Sequence, residues 1–285
     1  MLIHRAAIVH PEARLEPGVE VGAYSVIDRG TVIEADTRIG SHAVIGKNVR
    51  IGRGCEIYSH AVIGSDPQGL KYDGVESFVE IGEACRIREF VTVNRGSKEG
   101  SVTRIGDRTL LMTGTHIAHD CQIGSDVIMA NLATLGGHCA VEDHAVLGGM
   151  AVAHQFVRVG KLAMVGGTSG LMQDAPPFMM VFGTAPARVV NVNHVGLKRN
   201  GVPPEIRLHL RQAFHILYRQ GLPIDRALAR IEEELPHSEE LSYLLAFYRS
   251  SERGICRASL EVSEAEKEEG REEFFDDLTT SIPAT

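Results

Sequence analysis

An apolar, mostly aliphatic residue recurs at every sixth position along most of the chain. From Ile3 to Ile63 the series runs without a miss, and the same phase returns over residues 81–93 and 105–171. A period of six fits neither the 3.6-residue repeat of an α-helix nor the two-residue alternation of a hairpin sheet. It predicts a parallel β-helix, in which each hexapeptide supplies one short strand and one corner.

The repeat is interrupted twice, at residues 64–80 and 94–104, without losing its phase. We therefore expect two loops extruded from a continuous coil. Such insertions favour a substrate cleft over a bare scaffold, because plain coil needs none. Gly follows the aliphatic residue in many repeats, for example at Gly40 and Gly46, as a corner with little room for a side chain requires.

The repeat ends after the sequence QDAPPF (173–178), and a helical pattern begins beyond it. Residues 203–221 start with two prolines, place apolar residues on one face and stop at a Gly. The sequence thus predicts a mainly β protein, with a parallel β-helix over 1–185 and a C-terminal α-helical domain over 186–258. An acidic tail, 259–285, follows.

Most of the formal net charge of −8 belongs to the tail, where nine acidic and two basic residues follow Ser259. We expect this tail to be solvated and without fixed structure. The rest of the chain is nearly neutral and has no basic stripe, which argues against nucleic-acid binding. The N-terminal stretch MLIHRAAIVHPEARLEPG matches neither a signal peptide nor a membrane span, so we expect a cytoplasmic protein.

Repeats in which an aliphatic residue precedes Gly resemble those of the left-handed β-helix acyltransferases, which build each triangular coil from three hexapeptides. The left hand is implied by this resemblance and not by the spacing. A coil of 18 residues stacks residues i and i+18 about 4.8 Å apart. His119, Gly137 and Gln155 then share one column, and Asp120 lies beneath His138.

The five cysteines never form a CxxC pair, which argues against a disulfide framework and a zinc ribbon. We expect them to be small buried hydrophobic residues. Their spacing predicts that Cys85, Cys121 and Cys139 share one column of the coil.

The stretch LLMTGTHIAHDCQIGSDVIMA (110–130) sets His116 three residues before His119, with Asp120 beside the second histidine. A neutral imidazole at His119 can take a proton from a substrate hydroxyl or amine, while Gly137 can offer an unobstructed N–H to an oxyanion. Asp120 can fix the tautomer and stabilise the imidazolium. These parts suffice for direct acyl transfer from a thioester without a Ser or Cys nucleophile.

The histidines are also compatible with two roles outside acyl transfer. They can be ordinary surface or core residues of a non-catalytic β-helix. They can also bind zinc, because the fold resembles that of trimeric β-helix carbonic anhydrases, which use three His ligands. His119 and His154 match that ligand spacing best, but His154 is offset by one residue in its coil.

Six stretches of the chain match the pattern of one known family. They are LKY (70–72), RIREFVTVNRG (86–96), HIAHDC (116–121), GGMAVAHQF (148–156), MVGGTSGLMQDAPPF (164–178) and GLKR (196–199). On these stretches the chain, over about residues 1–258, resembles the acyl-carrier-protein-dependent UDP-N-acetylglucosamine O-acyltransferases, which begin lipid A synthesis. The resemblance implies a homotrimer with active sites between neighbouring β-helices, and no cofactor or metal ion. It implies transfer of a 3-hydroxyacyl chain from acyl carrier protein to the 3-position of the UDP-sugar.

The resemblance also implies a role for each matching residue. His119 is the general base, Asp120 its partner and Gly137 the oxyanion donor. The substrate-binding positions are His116, His138 and Gln155 in the cleft, Lys71 on the first extruded loop, Asn193 and Arg199 at the nucleotide end, and Met164 and Gly167 in the acyl-chain pocket.

Three positions depart from the family pattern. Gly69 and Val195 stand where acidic residues are usual, and Asn200 stands where a second Arg is usual. Each lost charge-assisted contact is worth about 1.5–3 kcal/mol. These three departures suggest an altered acceptor, such as the 3-amino analogue of the UDP-sugar.

Four basic residues gather at the start of the helical domain. Acyl carrier proteins are acidic, so we expect Lys198, Arg199, Arg207 and Arg211 to contribute to docking. Arg207 and Arg211 are four apart and share one face of a helix.

Overall fold

The computed structural model describes residues 2–259, so most of the acidic tail predicted over 259–285 lies outside the described residues. The strands are β1 (Leu2–Ile3), β2 (Ile8–Val9), β3 (Arg14–Leu15), β4 (Glu20–Val21), β5 (Val26–Ile27), β6 (Val32–Ile33), β7 (Arg38–Ile39), β8 (Val44–Ile45), β9 (Val49–Ile51), β10 (Glu56–Ile57), β11 (Val62–Ser65), β12 (Phe78–Ile81), β13 (Arg86–Ile87), β14 (Thr92–Asn94), β15 (Val102–Ile105), β16 (Leu110–Leu111), β17 (His116–Ile117), β18 (Gln122–Ile123), β19 (Ile128–Met129), β20 (Thr134–Leu135), β21 (Ala140–Val141), β22 (Val146–Leu147), β23 (Val152–Ala153), β24 (Arg158–Val159), β25 (Met164–Val165), β26 (Gly170–Leu171), β27 (Met179–Phe182) and β28 (Arg188–Val192).

Up to β26, every third strand joins the same sheet, so the coil is a three-sided prism. Sheet A runs β1-β4-β7-β10-β13-β16-β19-β22-β25-β27-β28, sheet B runs β2-β5-β8-β11-β14-β17-β20-β23-β26, and sheet C runs β3-β6-β9-β12-β15-β18-β21-β24. The chain passes from sheet A to B to C in each coil. We call the three edges the A–B, B–C and C–A corners. The architecture is a left-handed parallel β-helix: the repeat predicts the parallel coil, and the resemblance predicts its left hand.

The sixth-position residues form the core of the prism. They are buried from Val21 to Leu171, and neighbouring coils pair in parallel register, as Ile117 does with Leu135. Ile3 is 39% exposed, because no coil covers the N-terminal end. Burial of one aliphatic side chain per hexapeptide therefore holds successive coils together.

Between Val21 and Val165, outside the two extruded loops, each corner turns at a residue in the left-handed region, three positions after the buried aliphatic residue. At the B–C corner these residues include Asp120, His138 and Phe156, with φ of 61°, 60° and 66°. The Gly that follows the aliphatic residue has another role: a Cβ on Gly40 would lie 2.8 Å from the backbone nitrogen of Ser59. The expected lack of side-chain room is confirmed at that position.

Both extruded loops leave the prism at the B–C corner. Loop 1 (66–77) joins β11 to β12 and loop 2 (95–101) joins β14 to β15. They are shorter than the interruptions of the repeat, because these strands extend to three or four residues. Their place on one corner, in consecutive coils, decides where a cleft can form.

The loops also shift the register, and this makes the predicted cysteine column wrong. Loop 2 adds residues between Cys85 and Cys121, so these two cysteines lie on different faces. Hydrogen bonds from Glu56 N–H to the Cys85 carbonyl and from Gln122 N–H to the Cys139 carbonyl place Cys85 over Cys55 and Cys121 under Cys139. All five cysteines are buried and free, as expected.

The coil ends where β28 pairs antiparallel with β27. The segment predicted to be helical therefore begins with a strand. The helices that follow are α1 (His194–Arg199), α2 (Pro204–Arg219), α3 (Ile224–Glu234) and α4 (Glu239–Arg249). Helix α2 begins directly after Pro203 with Pro204 in its first turn, a position that suits a residue lacking an N–H.

The helices dock against the last coils through α4. The Arg158 guanidinium lies 4.2 Å from the ring centroid of Phe247, and it donates to Ser250 Oγ at 3.0 Å. Tyr243 donates its hydroxyl to the Glu142 carboxylate, and its ring meets Phe178 edge-on. Within residues 2–259, no helix is both long enough and apolar enough to cross a membrane.

Candidate active site

The two histidines of the stretch 110–130 lie at the end of sheet B, where it turns into the B–C corner. His116 is in β17, and His119 is the residue just before the corner residue Asp120. The pairing of Ile117 with Leu135 and of Leu135 with Ala153 aligns His119, Gly137 and Gln155, as predicted.

His119 and Asp120 form a hydrogen-bonded pair. Nδ1 of His119 lies 2.7 Å from Oδ2 of Asp120, and the two side chains are 23% and 10% exposed. Burial opposes ionisation of Asp120, but hydrogen bonds from Ser97, His119 and Ser101 outweigh it and lower the carboxyl pKa to about 2. An ionised carboxylate only accepts, so Nδ1 of His119 carries the proton and Nε2 keeps a free lone pair.

Loop 2 supplies further donors to the carboxylate. The Ser97 N–H lies 3.2 and 3.1 Å from the two Asp120 oxygens. The Asp120 backbone N–H donates to Thr103 Oγ1 at 2.8 Å, which fixes the corner itself. Asp120 is thus held at its backbone by the coil and at its carboxylate by loop 2.

Gly137 lies against the outer edge of the His119 ring. A Cβ placed on Gly137 would lie 2.7 Å from Nε2 and 2.6 Å from Cε1 of His119. Among the hydrogen bonds of residues 2–259, the Gly137 carbonyl accepts from Phe156 N–H, while its own N–H has no acceptor. A glycine here leaves both the basic nitrogen and a backbone donor open to a substrate.

His138 completes the corner one coil further on. Its ring meets that of His119 edge-on at 5.1 Å and stacks on Phe156 at 4.7 Å. Its Nε2 is 3.6 Å from Asp120 Oδ2, too far for a hydrogen bond. Burial lowers the pKa of His138, so the ring is neutral at neutral pH.

His116 lies in β17, three residues before His119. Its Nδ1 is 2.7 Å from Thr92 Oγ1. Burial lowers the pKa of His116 as well. The two neutral histidines therefore flank His119 without adding positive charge to the site.

The same cluster offers the atoms of a metal site. Ligand atoms of His119, Asp120 and His138 all lie within 4.8 Å of one another. His154, the second ligand of the zinc hypothesis, is not in this cluster and instead contacts the carbonyl of Gln155 at 3.2 Å. The cluster contains two histidines and one carboxylate, so among the described residues it does not match a carbonic anhydrase-type triad of histidines.

The structure does not bring all sequence-predicted residues together. Met164 in β25 belongs to sheet A, and Gly167 lies at the A–B corner, one corner away from His119. Lys71 is exposed on loop 1, beside the B–C corner. Gln155 is exposed at the far end of the His119 column.

The predicted nucleotide-end residues lie at α1. Asn193 caps this helix: its Oδ1 accepts from Gly196 N–H at 3.0 Å and its Nδ2 donates to the Leu162 carbonyl at 2.8 Å. Arg199 is in the last turn. Of the departures, Val195 is in α1, and Asn200 ends it with Nδ2 donating to the Gly196 carbonyl.

Sequence reasoning missed several residues of this site. Thr92 and Ser97 from one coil and Phe156 from another contact the residues around His119. Arg95 is buried between the loops. Phe156 could have been found, because it lies 18 residues after His138. The loop residues could not have been found, because the 18-residue stacking does not apply to an insertion.

A left-handed β-helix of hexapeptide repeats with an open His–Asp pair at a corner defines a hexapeptide-repeat acyltransferase. Comparisons with known proteins agree. A family model described as "Bacterial transferase hexapeptide (six repeats)" matches residues 30–65 and 103–137, and one described as "Udp N-acetylglucosamine O-acyltransferase; Domain 2" matches residues 174–256.

Similar proteins extend the match to nearly the whole chain. The acyl-(acyl-carrier-protein)–UDP-N-acetylglucosamine O-acyltransferase of Alkalilimnicola ehrlichii is 46% identical, over 88% of this chain and 97% of its own. The protein of the same name from Anaeromyxobacter dehalogenans strain 2CP-1 is 45% identical, over 90% of this chain and 100% of its own. The crystal structure of a UDP-N-acetylglucosamine acyltransferase from Bacteroides fragilis has a TM-score of 0.88 at 39% identity and covers 90% of this chain and 100% of that one. The chain belongs to the UDP-N-acetylglucosamine O-acyltransferase family.

Proposed function

We propose that this enzyme transfers a 3-hydroxyacyl chain from acyl carrier protein to the 3-hydroxyl of UDP-N-acetylglucosamine, the first step of lipid A synthesis. The observation that carries the proposal is the 2.7 Å bond between His119 Nδ1 and the ionised Asp120, with Gly137 beside the free Nε2. One basic nitrogen and one backbone donor then face the same open space.

The first step is attack by the sugar hydroxyl on the thioester carbonyl. His119 Nε2 takes the hydroxyl proton as the C–O bond forms, and the carbonyl π electrons move onto oxygen. The Gly137 N–H donates to this oxyanion. Asp120, already anionic, stabilises the imidazolium without taking its proton.

The second step expels the carrier thiol. The oxyanion re-forms the carbonyl, the C–S bond breaks, and the thiolate takes the proton back from His119. The base is thereby regenerated in its starting tautomer. His116 and His138, both neutral, line the cleft and can hydrogen-bond the substrates without competing for the proton.

The names of the relatives favour one acceptor sugar. Their names give UDP-N-acetylglucosamine, which favours that sugar over the altered acceptor suggested by Gly69, Val195 and Asn200. A Cβ on Gly69 would meet no atom within 4 Å, so this position leaves open space on loop 1. The names of these relatives do not favour the alternative of a zinc enzyme of the carbonic anhydrase type.

A homotrimer explains why the predicted residues are split between corners. In one protomer, Met164 and Gly167 lie on the A–B side, away from His119 at the B–C corner. Packing the A–B side of one prism against the B–C corner of the next would bring the acyl-chain pocket to the base. We therefore propose three sites per trimer, each made by two protomers, and place the reaction in the cytoplasm.

Acyl carrier protein would dock at the start of the helical region. Lys198 and Arg199 end α1, and Arg207 and Arg211 follow in α2. Their charge complements an acidic carrier and would increase the association rate more than the affinity.

The test is an assay of the purified full chain with 3-hydroxyacyl carrier protein and either UDP-N-acetylglucosamine or its 3-amino analogue, following thiol release and product mass. We expect turnover with UDP-N-acetylglucosamine and a trimeric mass in solution. Selective turnover of the 3-amino sugar would show that this sugar is the acceptor. If neither sugar leads to thiol release, the proposal that the protein is an acyltransferase is wrong.

A further inference from the structure

Loops 1 and 2 are joined by one buried guanidinium. Arg95, in loop 2, is only 4% exposed. Its Nη1 donates to the Gly64 carbonyl at 2.9 Å, its Nη2 pairs with the Asp66 carboxylate, and its Nε lies 3.3 Å from the Tyr72 hydroxyl. Three acceptors before and within loop 1 are thus held by one side chain.

Each end of this connection reaches a residue of the proposed site. Tyr72 is the neighbour of Lys71, and a turn closed by Tyr72 N–H on the Gly69 carbonyl holds that stretch of loop 1. Two residues after Arg95, the Ser97 N–H donates to Asp120. The guanidinium therefore connects the segment that carries the loop 1 lysine to the segment that holds the catalytic carboxylate.

Further contacts make the two loops one unit. Asn94 Nδ2 donates to the Asp66 carbonyl at 2.9 Å, and Gly100 N–H donates to the Glu76 carbonyl at 2.8 Å. Arg95 differs from these contacts because it is buried, charged and multiply bonded. A planar fork of donors can satisfy all three acceptors at once, which a lysine ammonium at the end of a flexible stem cannot.

We propose that Arg95 is a positioning residue, which locks loop 1 to loop 2 and so keeps Lys71 and Asp120 in mutual register. It touches no reacting atom. The sugar-binding side of the cleft and the base are thereby set by the same group. This inference rests on the proposed function for its kinetic consequences and on the loop contacts alone for its structural ones.

The variants are Arg95→Met, Arg95→Lys and Tyr72→Phe. The control is Arg88→Met. The Arg88 guanidinium lies over a tyrosine ring, 4.3 Å from the centroid of Tyr58, as that of Arg95 lies 5.8 Å from the centroid of Tyr72, but Arg88 is outside the loops. The readouts are kcat and KM for UDP-N-acetylglucosamine, and hydrogen exchange of residues 66–77 and 95–101 without substrate.

We expect Arg95→Met to lower kcat/KM by about 10²-fold, since a small displacement of a positioned group costs that much. Both a lower kcat and a higher KM should contribute, and exchange should accelerate in both loops. Arg95→Lys should be intermediate. Tyr72→Phe should raise KM by roughly 2–5-fold with little change in kcat, because it loosens loop 1 only. Arg88→Met should stay within about twofold of the unaltered enzyme.

The proposal is overturned if Arg95→Met keeps its kcat/KM within twofold, or if its two loops exchange no faster than those of Arg88→Met. If Arg95→Met does not fold, Tyr72→Phe decides, and an unchanged KM with unchanged exchange in 66–77 overturns the proposal. Failure of the unaltered enzyme to use the sugar would reject the proposed function, whereas the exchange measurement would still test the lock.

Discussion

Two corners of the same prism carry stacked rings, and only one of them is a catalytic candidate. At the A–B corner, Tyr24, His42, His60 and Phe90 stack at 5.0–5.1 Å with nearly parallel planes. At the B–C corner, His138 stacks on Phe156 in the same way, but His119 meets His138 at 88°. The coil spacing sets the stacking, so stacked histidines alone do not indicate chemistry.

His119 and the stacked histidines differ by one position relative to the corner residue. His42 and His60 are themselves the left-handed corner residues, with φ of 60° and 64°. His119 precedes its corner, and the corner residue is Asp120, whose carboxylate turns the imidazole out of the stack. The B–C corner also has the loops, which supply Ser97 N–H. The proposed base His119 thus differs from the stacked histidines in three ways: it precedes its corner, its corner residue is acidic, and a loop lies beside it.

The largest expected effect separates the two sets of histidines. His119→Ala should lower kcat by roughly 10²–10⁴-fold, because it removes the proposed general base. His42→Ala is the matched control and should retain activity within about twofold, since its ring only stacks. Steady-state kinetics on variants that keep the solution mass of the unaltered enzyme make the comparison. Equal losses in both variants would contradict the assignment of the base.

The second prediction concerns the acidic corner. Asp120→Asn should lower kcat by about 10²-fold or more, since a neutral amide cannot stabilise the imidazolium. With a pKa of about 2, Asp120 is anionic above that pH and loses its charge only as the pH falls through about 2. Asp120 therefore keeps its charge from pH 6 to 9, and the loss in Asp120→Asn should persist at pH 9 in steady-state kinetics. A kcat of Asp120→Asn within about twofold of that of the unaltered enzyme at pH 9 would contradict the role of the carboxylate.

The third prediction uses glycines at equivalent coil positions. Gly137→Ala should reduce kcat by roughly 10–100-fold, because the new Cβ would lie 2.7 Å from His119 Nε2 and displace the ring. Gly149→Ala, before the A–B corner, is the matched stability control, since its Cβ would come no closer than 3.5 Å to the Asn131 carbonyl oxygen, its nearest contact. We expect similar melting temperatures for both variants. Full activity of Gly137→Ala would argue against a substrate beside this edge.

The same two corners show how far sequence reasoning extends. A strict period gives the prism, its core and the stacking of residues 18 apart, so His119, Gly137 and Asp120 were placed correctly relative to one another. The stacking rule failed at Cys85, because the extra residues of loop 2 move the chain to another face. The period also does not predict the direction of a side chain. It cannot distinguish His60, which stacks, from His119, which bonds a carboxylate.

The smallest predicted effect compares the last ring of each stack. Phe156→Leu and Phe90→Leu each remove one stacked pair on a half-exposed ring, so each should lower the free energy of unfolding by about 0.5–1.5 kcal/mol in urea titrations. Only Phe156 supports His138 beside the base, so only Phe156→Leu should also lower kcat/KM, by roughly 2–5-fold. If both variants lose stability and neither loses activity, the orientation of His138 does not depend on its stack, and the function of the corner resides in His119, Asp120 and Gly137 alone.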